Sequence, residues 1–268
     1  MSADEVVGME PAPAGTSLRT EFHAQLDQLR DEIAAMAAAV TESIPRATEI
    51  LLGQDLEGAE YMILADDAVD ARALELEERC YQMLALQSPV ASDLRRIVAA
   101  LRIIADVERS ADLAVNVCKA ARRIYGKRLD PRLRGIIQKM GDQARQLFQE
   151  ATEAYLAADV ARASAIADMD EYLDDLQREF VQAIFTSHAA ERLDLQVAVQ
   201  LAVVARFYER IGDHAVNIGE KVRFVVTGWM PEQKGAERYR TRSDATGELP
   251  RVATVPSGGD SDASDSSS

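Results

Sequence analysis

Aromatic residues make up only 5% of this 268-residue chain, although 47% of it is hydrophobic. Much of the hydrophobic content is alanine, a mix that suits helices better than sheets. Cysteine is nearly absent. Cys80 and Cys118 match no zinc spacing and cannot form a disulfide framework. A reducing cytoplasm fits such usage. Positive charge is also short, with 30 Lys and Arg against 45 Asp and Glu and a formal net charge of -15. Nonspecific binding to nucleic-acid phosphates is therefore a poor expectation. No long apolar run exists: a stretch such as Ile33 to Val40 falls far below the roughly 20 residues of a membrane span. Any membrane role is expected to be peripheral. Met1 to Ser17 is acidic and lacks an apolar centre, so it does not read as a signal peptide. No glycine-rich phosphate loop occurs, and no Glu-x-x-His lies on any helical stretch.

What the chain does have is a repeat. Glu108-Arg109-Ser110-Ala111-Asp112-Leu113-Ala114-Val115-Asn116-Val117 returns 101 residues later as Glu209-Arg210-Ile211-Gly212-Asp213-His214-Ala215-Val216-Asn217-Ile218. Six of these ten positions are identical. Asp55, Asp66 and Asp70 recur as Asp159, Asp170 and Asp174 at an offset of 104, and Asp93 recurs as Asp194 at 101. Repeats set architecture, so this one organises the reading.

Hydrophobic spacing of three and four predicts six helices. The first carries Phe22, Leu26, Leu29, Ile33, Met36 and Val40, with Pro45 expected to kink or break it. Asp55 is expected to cap the second, which holds Met62, Val69, Leu74, Leu76, Tyr81 and Leu84. Ser92 or Asp93 should cap the third, and Gly126 should end it. Asp130-Pro131 opens the fourth and Asp159 the fifth. The sixth carries Leu195, Val199, Ala202, Ala205, Glu209, Gly212 and Val216 and runs to about Val226, before Gly228 and Pro231. The first and fourth helices share only length and pattern. The expected fold is all-α: two tandem, antiparallel three-helix bundles spanning 18–127 and 128–227. Residues 1–17 read as a flexible leader and 228–268, ending in an acidic Ser-rich run, as a disordered tail.

Glu108 with Asp112, and Glu209 with Asp213, place two carboxylates one helical turn apart on a stripe that is otherwise apolar. A carboxylate there is costly unless paired, protonated or bound to a cation. Neighbouring helices offer Asp66, Asp67 and Asp70 in the first unit, and Asp170, Asp174 and Asp175 in the second. Oxygen-rich sets suit magnesium, calcium, manganese or iron. The competing reading pairs these acids with Arg109, Arg210 or other arginines. Asn116 and Asn217 read as structural. His23 and His188 lack partner spacing, and His214 has Leu113 as its counterpart, so a duplicated chemistry does not need it. Lys119, Arg122, Arg123, Lys127, Arg128, Arg132 and Arg134 form a basic cluster at the end of the third helix. It either complements a helix dipole or faces an acidic partner or anionic surface.

The duplicated Glu-x-x-x-Asp, the form Glu-Arg-Ile-Gly-Asp-His-Ala-Val-Asn-Ile, and the lead Ser88-Pro-Val-Ala-Ser-Asp-Leu-Arg-Arg-Ile resemble the PhoU family of phosphate-transport regulators. The resemblance covers about residues 18–227. In the first unit Glu-Arg-Ser-Ala-Asp replaces the family's frequent Glu-Arg-Ile-Gly-Asp. It implies a cytoplasmic, non-enzymatic protein, often a homodimer. It also implies metal ions, magnesium, manganese or iron, on Glu108, Asp112, Glu209 and Asp213. The implied partners are the ATPase subunit of the phosphate ABC transporter and a membrane sensor histidine kinase, with which the family represses phosphate uptake and the starvation response. The alternatives are a metal-storage or redox carboxylate bundle, which the missing Glu-x-x-His disfavours, and a purely structural helical adaptor.

Overall fold

Six helices follow one another with short connections in the computed structural model, which describes residues 14–229, with side chains from Arg19 onward. They are α1 (Ala14–Gly53), α2 (Leu56–Gln87), α3 (Ala91–Arg123), α4 (Pro131–Ala157), α5 (Val160–Ala189) and α6 (Leu195–Thr227). No strand occurs among the described residues. Residues 14–17, expected in the leader, belong to α1. The rest of the leader and the tail from 230 lie outside the described residues.

Four helix starts are set by an aspartate, three of them, Asp55, Asp130 and Asp159, as the sequence suggests. Asp55 accepts from Gly58 N at 2.9 Å, Asp159 from Ala161 N at 2.9 Å, and Asp194 from Gln196 N at 2.8 Å. Asp130 accepts from Arg132 N at 2.9 Å with Pro131 beginning the helix, and its other oxygen accepts from Ser187 Oγ at 2.7 Å. Each carboxylate satisfies a backbone N–H that has no partner inside the helix. The third helix departs from expectation. Its N-cap is Val90, which makes no side-chain capping bond, and Ser92 and Asp93 lie inside the first turn. The chain enters α3 almost one turn earlier than it enters α6, so Asp93 sits 3.3 Å from His23 Nε2 on α1 instead of capping. Pro45 does not break α1, which runs on to Gly53. α3 ends at Arg123, ahead of Gly126 at φ 76, and α6 is capped by Gly228 at φ 75. These are backbone angles that glycine adopts without strain.

Polar contacts give the helix directions. Glu32 of α1 meets Arg72 and Arg79 of α2, and Asp27 of α1 meets Arg96 of α3. Arg162 of α5 meets Glu150 and Glu153 of α4. Each three-helix set is thus an up-down-up bundle. The sets join through α1 against α4 and α3 against α6. Glu42–Arg145 and the Arg134 bond to Leu52 O make α1 and α4 antiparallel. Arg123–Gln200 and Lys127–Asp194 do the same for α3 and α6. One apolar cluster runs through both sets, from Leu29, Ile33 and Ile44 through Ile104 and Phe148 to Phe180 and Ile211.

The structure also extends the repeat to α1 and α4. The caps Asp55 and Asp159 fix an offset of 104, which superposes buried Leu29, Ile33, Met36, Val40, Ala47 and Thr48 on buried Leu133, Ile137, Met140, Ala144, Ala151 and Thr152. Both threonines bond the carbonyl four residues back, Thr48 to Ile44 O and Thr152 to Phe148 O. Some apolar residues lie off the buried stripes. Leu74, Tyr81, Leu94, Leu195 and Val199 are exposed, and the α6 core face runs instead through Val197, Leu201, Val204, Tyr208 and Ile211. Helices this rich in alanine and valine accommodate two registers of the same spacing.

Candidate cation seams

The buried face of α2 recurs at spacings of three and four through Ala59, Ala73, Leu76, Cys80 and Met83. Asp66 falls on that stripe between partly buried Met62 and Val69. Asp170 occupies the same place on α5, between buried Ile166 and Leu173. Each is half-buried, and each has an Oδ1 out of reach of solvent with no hydrogen-bond partner. From the facing helix, Glu108 on α3 and Glu209 on α6 are also half-buried, and Glu209 Oε2 is a third buried oxygen without a partner. Asp112 and Asp213, expected on the buried stripe, are exposed at the rim, as is Asp70. The stripe bends the carboxylates of one i, i+4 pair to different depths, because the groove floor is met only by the first of them.

Neighbouring acids raise the half-buried carboxyls of each set, across the helix pair as well as along it. Burial, followed by Asp112 and Asp70, pushes Asp66 up to about 6, while Lys119 opposes the rise. Burial, followed by Asp174, Asp213 and Glu209, likewise pushes Asp170 up to about 6. Glu108 is raised by burial, Asp70 and Asp112. Glu209 is raised by burial and Asp213 against the pull of Arg206. Loss of water and like charge therefore act together, and both favour a proton or a cation. Arg109 and Arg210 are exposed and close no ion pair with these acids. The arginine that meets Glu209 is Arg206, whose counterpart in the first set is Ala105.

The arrangement is two oxygen-lined seams, one between α2 and α3 with Asp66, Asp70, Glu108 and Asp112, the other between α5 and α6 with Asp170, Asp174, Glu209 and Asp213. Among the described residues no three of these groups already converge on one point at ligating distance. Each seam is an array along a groove. The donors are all carboxylate oxygens, and the orphaned atoms Asp66 Oδ1, Asp170 Oδ1 and Glu209 Oε2 fit a hard cation that takes oxygen ligands.

Two features escaped the sequence. His214 Nδ1 lies 3.0 Å from Asp106 Oδ1, a buried pair linking α6 to α3. The partners stand 108 residues apart, with nothing local to signal it. Tyr208 hydroxyl and Thr48 Oγ1, 2.7 Å apart, form a buried link between α6 and α1. Much of the basic cluster is tied to its own chain: Lys127 to Asp194 at 3.5 Å, Arg132 to Glu179 at 3.7 Å, and Arg134 to Leu52 O at 2.7 Å. Cys80 and Cys118 are buried, and burial pushes both thiols up to about 12, so neither is a thiolate nucleophile. No helix among the described residues is long and apolar enough to cross a membrane.

A duplicated six-helix bundle with an acidic seam between the second and third helix of each repeat defines a class of all-α, seam-bearing repeat proteins. The PhoU domain model matches it twice, over residues 33–121 and 137–222, once per three-helix set. The chain belongs to the PhoU family. It is 34% identical over 223 residues to the phosphate-specific transport system accessory protein PhoU homolog 1 of Mycobacterium tuberculosis, covering 83% of this chain and 100% of the relative. Homolog 2 of the same organism is 35% identical over 215 residues, covering 80% and 100%. The crystal structure of PhoU from Pseudomonas aeruginosa superposes with a TM-score of 0.73 at 28% identity, covering 78% of this chain and 100% of that one. The phosphate transport system regulatory protein PhoU of Streptococcus pneumoniae gives a TM-score of 0.72 at 24% identity, a likeness of fold, covering 78% and 98%.

Proposed function

We propose that this chain is a non-enzymatic cytoplasmic regulator of phosphate homeostasis, a metal-binding adaptor that restrains phosphate uptake and the phosphate-starvation response. Family membership supports the phosphate role, since its relatives are named accessory proteins of a phosphate-specific transport system. The single observation that carries the adaptor reading is the pair of acidic seams with orphaned buried oxygens on a rigid helical scaffold. Nothing in them resembles a nucleophile with its base. Magnesium, manganese or iron would be held by Asp66, Asp70, Glu108 and Asp112, and by Asp170, Asp174, Glu209 and Asp213. A bound cation supplies positive charge that cancels the repulsion along each groove.

The residues themselves hold α2 to α3 and α5 to α6 at a fixed spacing and present a charged rim through Asp112 and Asp213. In this reading the rims and the surrounding helix faces dock the ATPase subunit of the phosphate transporter and a membrane sensor kinase, with the protein acting as a homodimer. The test is phosphate uptake in cells lacking the chain, complemented with wild type or with Glu108→Ala/Asp112→Ala/Glu209→Ala/Asp213→Ala. Wild type should restore restraint and the seam variant should not. Full restraint by a folded seam variant would remove the seams from the function. A pull-down from the same cells should recover the transporter ATPase and the kinase; recovery of neither would overturn the bridging role.

A further inference from the structure

The two seams are copies of one design, but their floors differ. On α6, Gly212 and Gly219 lie seven residues apart and both face α5. A Cβ on Gly212 would stand 2.2 Å from Asp170 Oδ1 and 2.8 Å from Leu173 Cδ2. A Cβ on Gly219 would stand 2.8 Å from the carbonyl oxygen of Ala163. A side chain can turn aside from such a clash, but a backbone carbonyl cannot, so the close approach of α5 and α6 requires glycine at 219, while glycine at 212 leaves the space that Asp170 and Leu173 fill. The counterparts on α3 are Ala111 and Cys118, both buried, and the counterpart of Ala163 is the buried Ala59. The first seam therefore houses a methyl and a thiol where the second has only hydrogens, which leaves Asp170 room to seat against the α6 backbone.

Charge separates the seams in the same direction. Lys119 on α3 pulls on Asp66 of the first seam. Its counterpart on α6 is Glu220, an acid in place of a base. Arg206 works the other way at Glu209, but its side chain is 59% exposed, and Glu209 still keeps one buried oxygen unpartnered. A narrow groove holds carboxylates close to a small ion, and a nearby ammonium repels that ion.

We infer that the two seams are unequal cation sites: the one backed by Gly212 binds a divalent ion more tightly and fills first, while Ala111 and Lys119 weaken the other. This rests on the cation reading above. The test titrates Mn²⁺ into the full chain by calorimetry, with free Mn²⁺ followed by electron paramagnetic resonance. Glu209→Ala/Asp213→Ala should abolish the tight class of sites, and Glu108→Ala/Asp112→Ala should leave it. Gly212→Ala should weaken the tight class about tenfold, and Ala111→Gly/Lys119→Glu should strengthen the weak class by about the same factor. Lys119→Glu alone, at a half-buried position that accepts glutamate in the other repeat, keeps the test valid should Gly212→Ala unfold the chain. Two classes of equal affinity, or a tight class lost only with Glu108→Ala/Asp112→Ala, would overturn the inequality while leaving cation binding intact. Failure of the wild type to take up any Mn²⁺ would overturn the cation reading itself, and the inequality with it.

Discussion

Asp170→Asn in metal-free protein isolates the cost of the seam's charge. Asp170 is half-buried, has an oxygen with no partner, and faces Asp174, Asp213 and Glu209. Its pKa rises from 3.8 to about 6. At 1.36 kcal/mol per unit such a shift is worth about 3 kcal/mol. Partial exposure and solvent screening reduce this to about 1–2 kcal/mol. The sign follows from linkage: the folded state holds this proton more tightly than the unfolded chain, so stability falls as pH rises from about 4 to about 6 and then levels off. In chelator near pH 8, the asparagine variant should therefore be more stable than wild type by about 1–2 kcal/mol, melting about 2–8 °C higher. The advantage should shrink below about pH 6 and vanish near pH 4, where the wild-type carboxyl is itself protonated. Calorimetric or circular-dichroism melts across that range read the difference directly. A variant no more stable than wild type near pH 8 would mean that Asp170 has a compensating partner, and the account of the seam as uncompensated charge would fail.

Other outcomes follow from the buried polar contacts. His214→Leu strands the Asp106 carboxylate and should cost about 3–5 kcal/mol in urea melts, whereas Asp106→Leu/His214→Leu should recover most of that loss; a double variant as unstable as the sum of the singles would show that the pair is not coupled. Tyr208→Phe removes the hydroxyl that bonds Thr48 and should cost about 1–1.5 kcal/mol by the same assay, with no cost counting against that bond. Cys80 and Cys118 should resist a maleimide in the native protein and react once it is unfolded; fast native labelling of either would contradict its burial.

The six helices and three of the aspartate caps, Asp55, Asp130 and Asp159, were legible because they depend on local chemistry, a carboxylate next to a free N–H and an apolar residue every third or fourth place. The acid pairs on α3 and α6 were legible because they repeat. The early start of α3 was not, since its cap position holds Val90, which carries no capping signal. The α1–α4 correspondence carries identical pairs such as Leu29 and Leu133, Met36 and Met140, and Thr48 and Thr152, but they are scattered among unlike neighbours, and shared burial makes the register plain. The depth of Asp66 and Asp170 was also obscure, because each stands in a run of acids, Asp66, Asp67 and Asp70 or Asp170, Asp174 and Asp175, that reads equally as a solvated face. Leu195 and Val199 fitted the spacing of the core stripe while facing solvent, a choice that only the packing of α6 on α3 and α5 could make.

The buried Asp106–His214 pair has a consequence for which surfaces can meet. By the repeat, Asp106 corresponds to Phe207 and His214 to Leu113. Because α3 and α6 cross antiparallel in a self-matching register, two copies of α3, or two of α6, present the right shape to each other. An α3–α3 encounter would set each Asp106 opposite an apolar Leu113, burying two carboxylates without partners. An α6–α6 encounter would set each His214 opposite a Phe207. Only the mixed encounter gives acid to base and apolar to apolar. The pair thus works as a key that matches α3 to α6 and disfavours either helix against its own likeness.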